Sequence, residues 1–124
     1  MKTVISTEKA PAPHHPNSQA TRTGSLYITS GHLPINPATG AFPATIEEQT
    51  RQSLENCKAV LAAAGAAMEN VIKTTVFLSD MNNFAAMNGV YATFFEGACP
   101  ARSAVEVARL PKDALVEIEC IAVL

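Results

Sequence analysis

At 124 residues, with 48% apolar and 16% charged side chains, the chain is too apolar for a disordered polymer and is sized for one domain, 1–124. Its net charge of −2 argues against a strongly basic nucleic-acid binder, and no apolar run approaches the roughly 18 residues of a membrane span. An apolar fraction this high on so short a chain points to apolar surface buried between subunits. Cys57, Cys99 and Cys120 are too sparse, and odd in number, for a disulfide framework. The start, Met1 to Glu8, has one lysine and no long apolar stretch, so no secretory leader is expected and the default setting is the reducing cytoplasm.

Thr3 to Ser6 reads as a short strand. Ala10 to Asn17 holds three prolines in eight residues, which makes a stiff, extended loop rather than helix or central strand. Ser18 to Arg22 and Leu26 to Ser30 read as strands joined by the three-residue loop Thr23-Gly24-Ser25. Asn36 to Gly40 is turn chemistry. Thr45-Ile46-Glu47-Glu48 is a capping box that opens a helix. Thr50, Leu54, Cys57, Leu61 and Ala64 share its inner face, and Gly65 is placed to end it in a left-handed cap. Val71 to Leu78 is β-branched and reads as a strand. Asp80 or Asn82 caps a second helix with a stripe of Phe84, Met87 or Asn88, Tyr91, and Phe94 or Phe95, ended by Gly97 and Pro100. Ala101 to Val107 and Val116 to Val123 are strands around a turn at Leu110 to Asp113. The order β-β-β-α-β-α-β-β implies an α+β layer: one mixed β-sheet with two helices on one face. The other face needs cover, which a partner subunit can supply.

Arg102 stands among small and apolar residues at the start of a strand. It cannot deprotonate and must find an anion: a substrate carboxylate gripped by its planar fork, or a structural partner in Glu106, Glu117 or Glu119. Glu117 and Glu119 share a strand face, where a half-buried carboxylate can relay protons to a water. The alternative is a solvated strand face or pairing with Arg102 and Arg109. Ser30-Gly31 ends a strand and offers backbone N–H groups to an oxyanion. Asn88 lies on or beside the apolar stripe of the second helix, fit either to position a ligand or to satisfy backbone. His14, His15 and His32 lack the grouping a metal needs, so no metal is expected. His32 follows Ser30-Gly31 and can approach the same pocket, titrating near neutral pH. Cys57 and Cys120 read as packing residues, and Cys99 as a neighbour of the Arg102 segment. No phosphate-binding glycine loop appears, and no cofactor is indicated.

Pro100-Ala101-Arg102-Ser103-Ala104-Val105-Glu106-Val107-Ala108-Arg109-Leu110-Pro111, followed by Val116-Glu117-Ile118-Glu119, resembles the C-terminal signature of the RidA (YjgF) family, the reactive-intermediate deaminases. Ser6 to Pro11, Ile28 to Gly31, Gln52 to Asn56 and Val71 to Leu78 extend the resemblance along nearly the whole chain. It implies a chorismate-mutase-like (YjgF) fold, assembled as a homotrimer with pockets at the subunit interfaces. It also implies hydrolysis of enamines and imines, such as 2-iminobutanoate and 2-iminopropanoate, to 2-keto acids and ammonia. In that scheme Arg102 grips the substrate carboxylate and Glu117 orients the attacking water. Ser30, Gly31 and Asn88 line the pocket, together with the residue at position 17.

The chain departs from the family at that position: Gly-Pro-Tyr-Ser-Gln-Ala becomes His15-Pro16-Asn17-Ser18-Gln19-Ala20, and His32 stands where glutamine is common. Ala104 replaces a frequent cysteine. Asn17, His15 and His32 make a more polar pocket, suited to a different or larger imine such as an aminomuconate-like acid. The competing reading is a trimeric module that binds 2-keto acids without turnover. The older endoribonuclease label for the family has little support in a chain with nine basic residues and no tryptophan.

Overall fold

The computed structural model describes residues 1–124. Six strands form one sheet in the order β1-β2-β3-β6-β4-β5: β1 Thr3–Ile5, β2 Ala20–Thr23, β3 Leu26–Thr29, β4 Val71–Leu78, β5 Ala101–Glu106 and β6 Val116–Val123. Only β4 and β5 pair in parallel. Two helices, α1 Ile46–Ala63 and α2 Phe84–Tyr91, pack on one face, which is the expected mixed α+β layer. No helix is long and apolar enough to cross a membrane.

Local chemistry sets the element ends. Thr45 Oγ1 accepts from Glu48 N at 3.1 Å, so the forward half of the capping box starts α1. Gly65 at φ +83° ends it: Gly65 N bonds Ala62 O and Ala66 N bonds Leu61 O, both at 3.0 Å, the paired bonds of a Schellman cap. The β2–β3 loop is tighter than expected. Thr23 pairs with Leu26, leaving only Gly24 and Ser25 in the turn, and Gly24 takes the positive φ that a two-residue hairpin needs. The second helix is shorter than its stripe suggests. Asp80 caps a 3₁₀ turn at Met81–Asn83, and a second such turn at Ala92–Phe94 follows α2. There the Thr93 hydroxyl takes the Val90 carbonyl at 2.6 Å, an acceptor that a further α-turn would use.

The core lies between helices and sheet. Leu54, Cys57, Val60 and Leu61 of α1 and Met87 of α2 meet Val76, Leu78, Val116, Ile118 and Ala122, all at most 1% exposed. Cys57 packs beside Cys120 and points its Sγ at Ile118 O, 3.4 Å away. Its neighbour Cys120, together with burial, pushes its pKa well up, so it stays an inert thiol. On the opposite face, Ile28 (44%), Val105 (42%) and Val123 (40%) are exposed. They surround Phe77, Glu117 and Glu119 on the uncovered side of the register.

Candidate functional site

The proline-rich stretch and the ends of β3 and β6 enclose a cavity of about 430 Å³, within the size range of small-ligand sites. Asn17, Ser30, Gly31, His32, His15 and Glu117 all line it. Glu117 lies over Gly31 so closely that a Cβ at residue 31 would fall 2.8 Å from its Oε1; only glycine leaves the carboxylate there. Burial, and secondarily the Glu119 charge, raise the Glu117 pKa above the ordinary carboxylate value. Of the two backbone donors expected here, Ser30 N is already taken by Gln19 O at 2.9 Å. Gly31 N has no acceptor within the chain, so it is the donor left for a ligand. The Ser30 hydroxyl also turns away, donating to Ser18 O at 2.5 Å.

The fold lowers the His32 pKa from its ordinary value. The residue is 5% exposed, and burial is the cause. The ring is therefore neutral at pH 7. Its Nε2–H faces Gln19 O at 3.2 Å, which assigns the tautomer. His14 and His15 are exposed on the cavity rim, and no three His, Cys, Asp or Glu side chains gather to hold a metal ion.

Arg102 sits elsewhere. Its Nη1 donates to Asn88 Oδ1 at 2.7 Å. Its guanidinium lies 4.7 Å from the Tyr91 ring centroid and 5.4 Å from that of Phe84. Tyr91 in turn shares a 2.7 Å hydrogen bond with Thr74, so the aromatic floor is pinned. None of Glu106, Glu117 and Glu119 pairs with Arg102; the only ion pair in the chain is the exposed Arg109–Asp113. A half-buried guanidinium held by a neutral amide and two rings keeps its charge uncompensated. Cys99 is exposed in the loop before β5, outside the cavity and on the Tyr91 side, where its charge is one of the smaller influences raising the Tyr91 pKa.

The register separates the two groups. Arg102 pairs with Thr74, and Thr74 with Cys120. Cys120 faces the helices and is three residues from Glu117, so Glu117 faces the other way. One copy of the chain therefore presents Arg102 and Asn88 on the helix side and Glu117 with its cavity on the open side. Two polar cavity residues carry no signal in the sequence. Gln19 is an interior amide, and Ser18-Gln19-Ala20 carries no signal that a glutamine should be buried. Lys112 reaches the cavity rim from a turn where it and Asp113 both hold φ +57°, a conformation that side chains rarely take and composition does not reveal.

Comparison with known proteins agrees with this architecture. The family described as Endoribonuclease L-PSP matches residues 7–124. A RutC family protein of Pyrococcus horikoshii is 56% identical over 98% of each chain. The 2-iminobutanoate/2-iminopropanoate deaminase of Escherichia coli (strain K12) is 51% identical, covering 99% of this chain and 98% of that one. The crystal structure of the YjgF gene product from E. coli superposes with a TM-score of 0.95 at 51% identity, covering 98% of each chain. With this fold, and with these similarities along its whole length, the chain belongs to the RidA/YjgF family.

Proposed function

We propose that the protein hydrolyses 2-imino acids and their enamine tautomers to 2-keto acids and ammonia, at sites that join Arg102 of one copy to Glu117 of another. The observation that carries this reading is the uncompensated Arg102 guanidinium, since nothing within the chain supplies the anion it needs. A substrate carboxylate fits its fork with two charge-assisted hydrogen bonds. Asn88 fixes the guanidinium for that contact, and Gly31 N is a further donor to the same ligand. The uncovered, partly apolar sheet face gives a second copy its docking surface, and a homotrimer closes such head-to-tail contacts into a ring. The name of the E. coli deaminase, at 51% identity, supports the same reaction class.

The chemistry asks little of the protein once the parts are placed. The C2 carbon of a protonated imine is already electrophilic. Glu117 takes a proton from a water as the water oxygen bonds to C2. The carboxylate then returns that proton to the nitrogen. As the C–N bond breaks and ammonia leaves, Glu117 takes the proton of the new hydroxyl, the carbonyl forms, and that proton departs with the ammonia as ammonium. Asn17 and His15 give the cavity a polar wall, which favours imino acids whose side chains are longer or more polar than those of 2-iminopropanoate.

The test is hydrolysis of 2-aminoacrylate and 2-iminobutanoate freshly released by a serine or threonine dehydratase. The wild-type protein should accelerate keto-acid formation, and Arg102→Ala should lose about a hundredfold or more of that rate while the oligomer stays intact. A folded wild-type oligomer that gives no acceleration would sink the deaminase reading in favour of a binding module. An Arg102→Ala variant with near-wild-type rate would remove the carboxylate clamp.

A further inference from the structure

Two of the cavity's walls, the proline-rich arm and the Ser30–His32 segment, come from separate stretches of chain, and both are tied to one residue. Gln19 is 3% exposed. Its Oε1 accepts from Thr7 N at 2.7 Å. Its Nε2 is shared among Thr7 O at 2.9 Å, Pro11 O at 2.9 Å and Ala10 O at 3.2 Å. Its backbone carbonyl accepts from Ser30 N and from the His32 ring. The side chain therefore holds the arm that runs into the proline-rich wall, while the carbonyl holds the Ser30–His32 wall. The arm has few ways of tying itself down: Pro11, Pro13 and Pro16 have no N–H to give to a neighbouring strand. A primary amide accepts at one end and donates two hydrogens at the other without carrying charge, and this donor-acceptor pattern is what the arm presents.

We propose that Gln19 is a positioning residue for the imine site: it sets the spacing of the two walls, and through it the affinity for substrate. This rests on the deaminase reading above. Gln19→Glu keeps the shape and the acceptor for Thr7 N, but as a carboxylate it donates nothing to the three carbonyls. Gln19→Ala removes the tie altogether. Both variants should raise KM for 2-iminobutanoate about tenfold while kcat stays within about threefold, because Arg102 and Glu117 are untouched. Destabilisation alone would act the other way, lowering apparent kcat through the active fraction and leaving KM unchanged. Trypsin should release residues 1–9 from the variants far faster than from the wild type, in which the Lys9–Ala10 bond is pinned by the buried Ala10. In the wild-type protein the Thr7 amide should exchange with solvent at least about tenfold more slowly than that of its exposed neighbour Glu8.

An unchanged KM in folded variants would overturn the proposal. So would a Thr7 amide that exchanges as fast as that of Glu8, a measurement that stands even if neither variant folds. A wild-type protein without turnover would instead overturn the deaminase reading, and the proteolysis and exchange measurements would still decide whether Gln19 ties the arm.

Discussion

Arg102 and Glu117 are the two charged groups on which the proposed chemistry depends, and the molecule treats them differently. Arg102 rests on regular structure: β5 places it, α2 supplies the amide and both rings, and Thr74 of β4 fixes Tyr91. Glu117 also stands on a strand, but its surroundings are loop: the proline-rich arm, the end of β3 and the Lys112 turn. The cation is rigid and lacks an anion. The carboxylate is half-buried, and that burial makes it more basic. Each lacks what the other face offers, and the sheet between them prevents one copy from joining the two.

That separation can be broken directly by mixing subunits. Arg102→Ala and Glu117→Gln should each be inactive as pure proteins. Co-expressed in equal amounts, they should recover about a quarter of wild-type activity, because a site drawing its arginine and its glutamate from different copies has both intact with that frequency. A site built within one copy would recover nothing, since every copy lacks one of the two. No activity from mixed oligomers shown to contain both chains would end the shared-site reading.

The same contrast explains how much was legible in the sequence. The Arg102 region was readable because its parts follow local rules. A β-branched run marks β4, a helical stripe brings Asn88 and Tyr91 to one side, and an arginine among small residues demands a partner. The register then decides a question that spacing left open, replacing Glu106, Glu117 or Glu119 with Asn88 as that partner. The cavity was only half readable. The Ser30-Gly31 strand end and the Glu117/Glu119 alternation pointed toward it, and the prolines marked a loop. Which side chain would tie that loop down depends on contacts between residues 7 and 19, and no periodicity encodes those. His32 shows the same limit: its type does not reveal that the fold buries it between β6 and Gln19, which lowers its pKa.

A smaller effect sharpens the cavity side. Gly31→Ala puts a methyl group only 2.8 Å from Glu117 Oε1, closer than a Cβ can sit. The neighbour that must move is the end of a flexible side chain, so the fold should tolerate the change with a loss of about 1 kcal/mol or less. The carboxylate itself has to leave its place, and kcat should fall about tenfold or more. Thermal unfolding beside steady-state kinetics separates the two. A rate loss matched by an equal loss of folded protein would mean that Gly31 serves the fold rather than the position of Glu117.

The smallest effect bears on whether the two regions meet. Burial raises the folded-state pKa of Glu117, so between the ordinary carboxylate value of about 4.3 and the raised one the folded state holds a proton that the unfolded state has released. Stability therefore falls as pH rises through that window. Glu117→Gln removes the penalty, so where Glu117 has no cation beside it the variant should be the more stable protein at pH 7 and equal to its parent below about pH 4. Glu117 is only half-buried, which trims the difference to about 1 kcal/mol or less. A guanidinium from a neighbouring copy would pull the carboxylate pKa back down and cancel the penalty. The gain from Glu117→Gln at pH 7 should then be clear in an Arg102→Ala background and small or reversed when Arg102 is present. Equal gains in both backgrounds would mean that Arg102 never comes within reach of Glu117, whatever the oligomer.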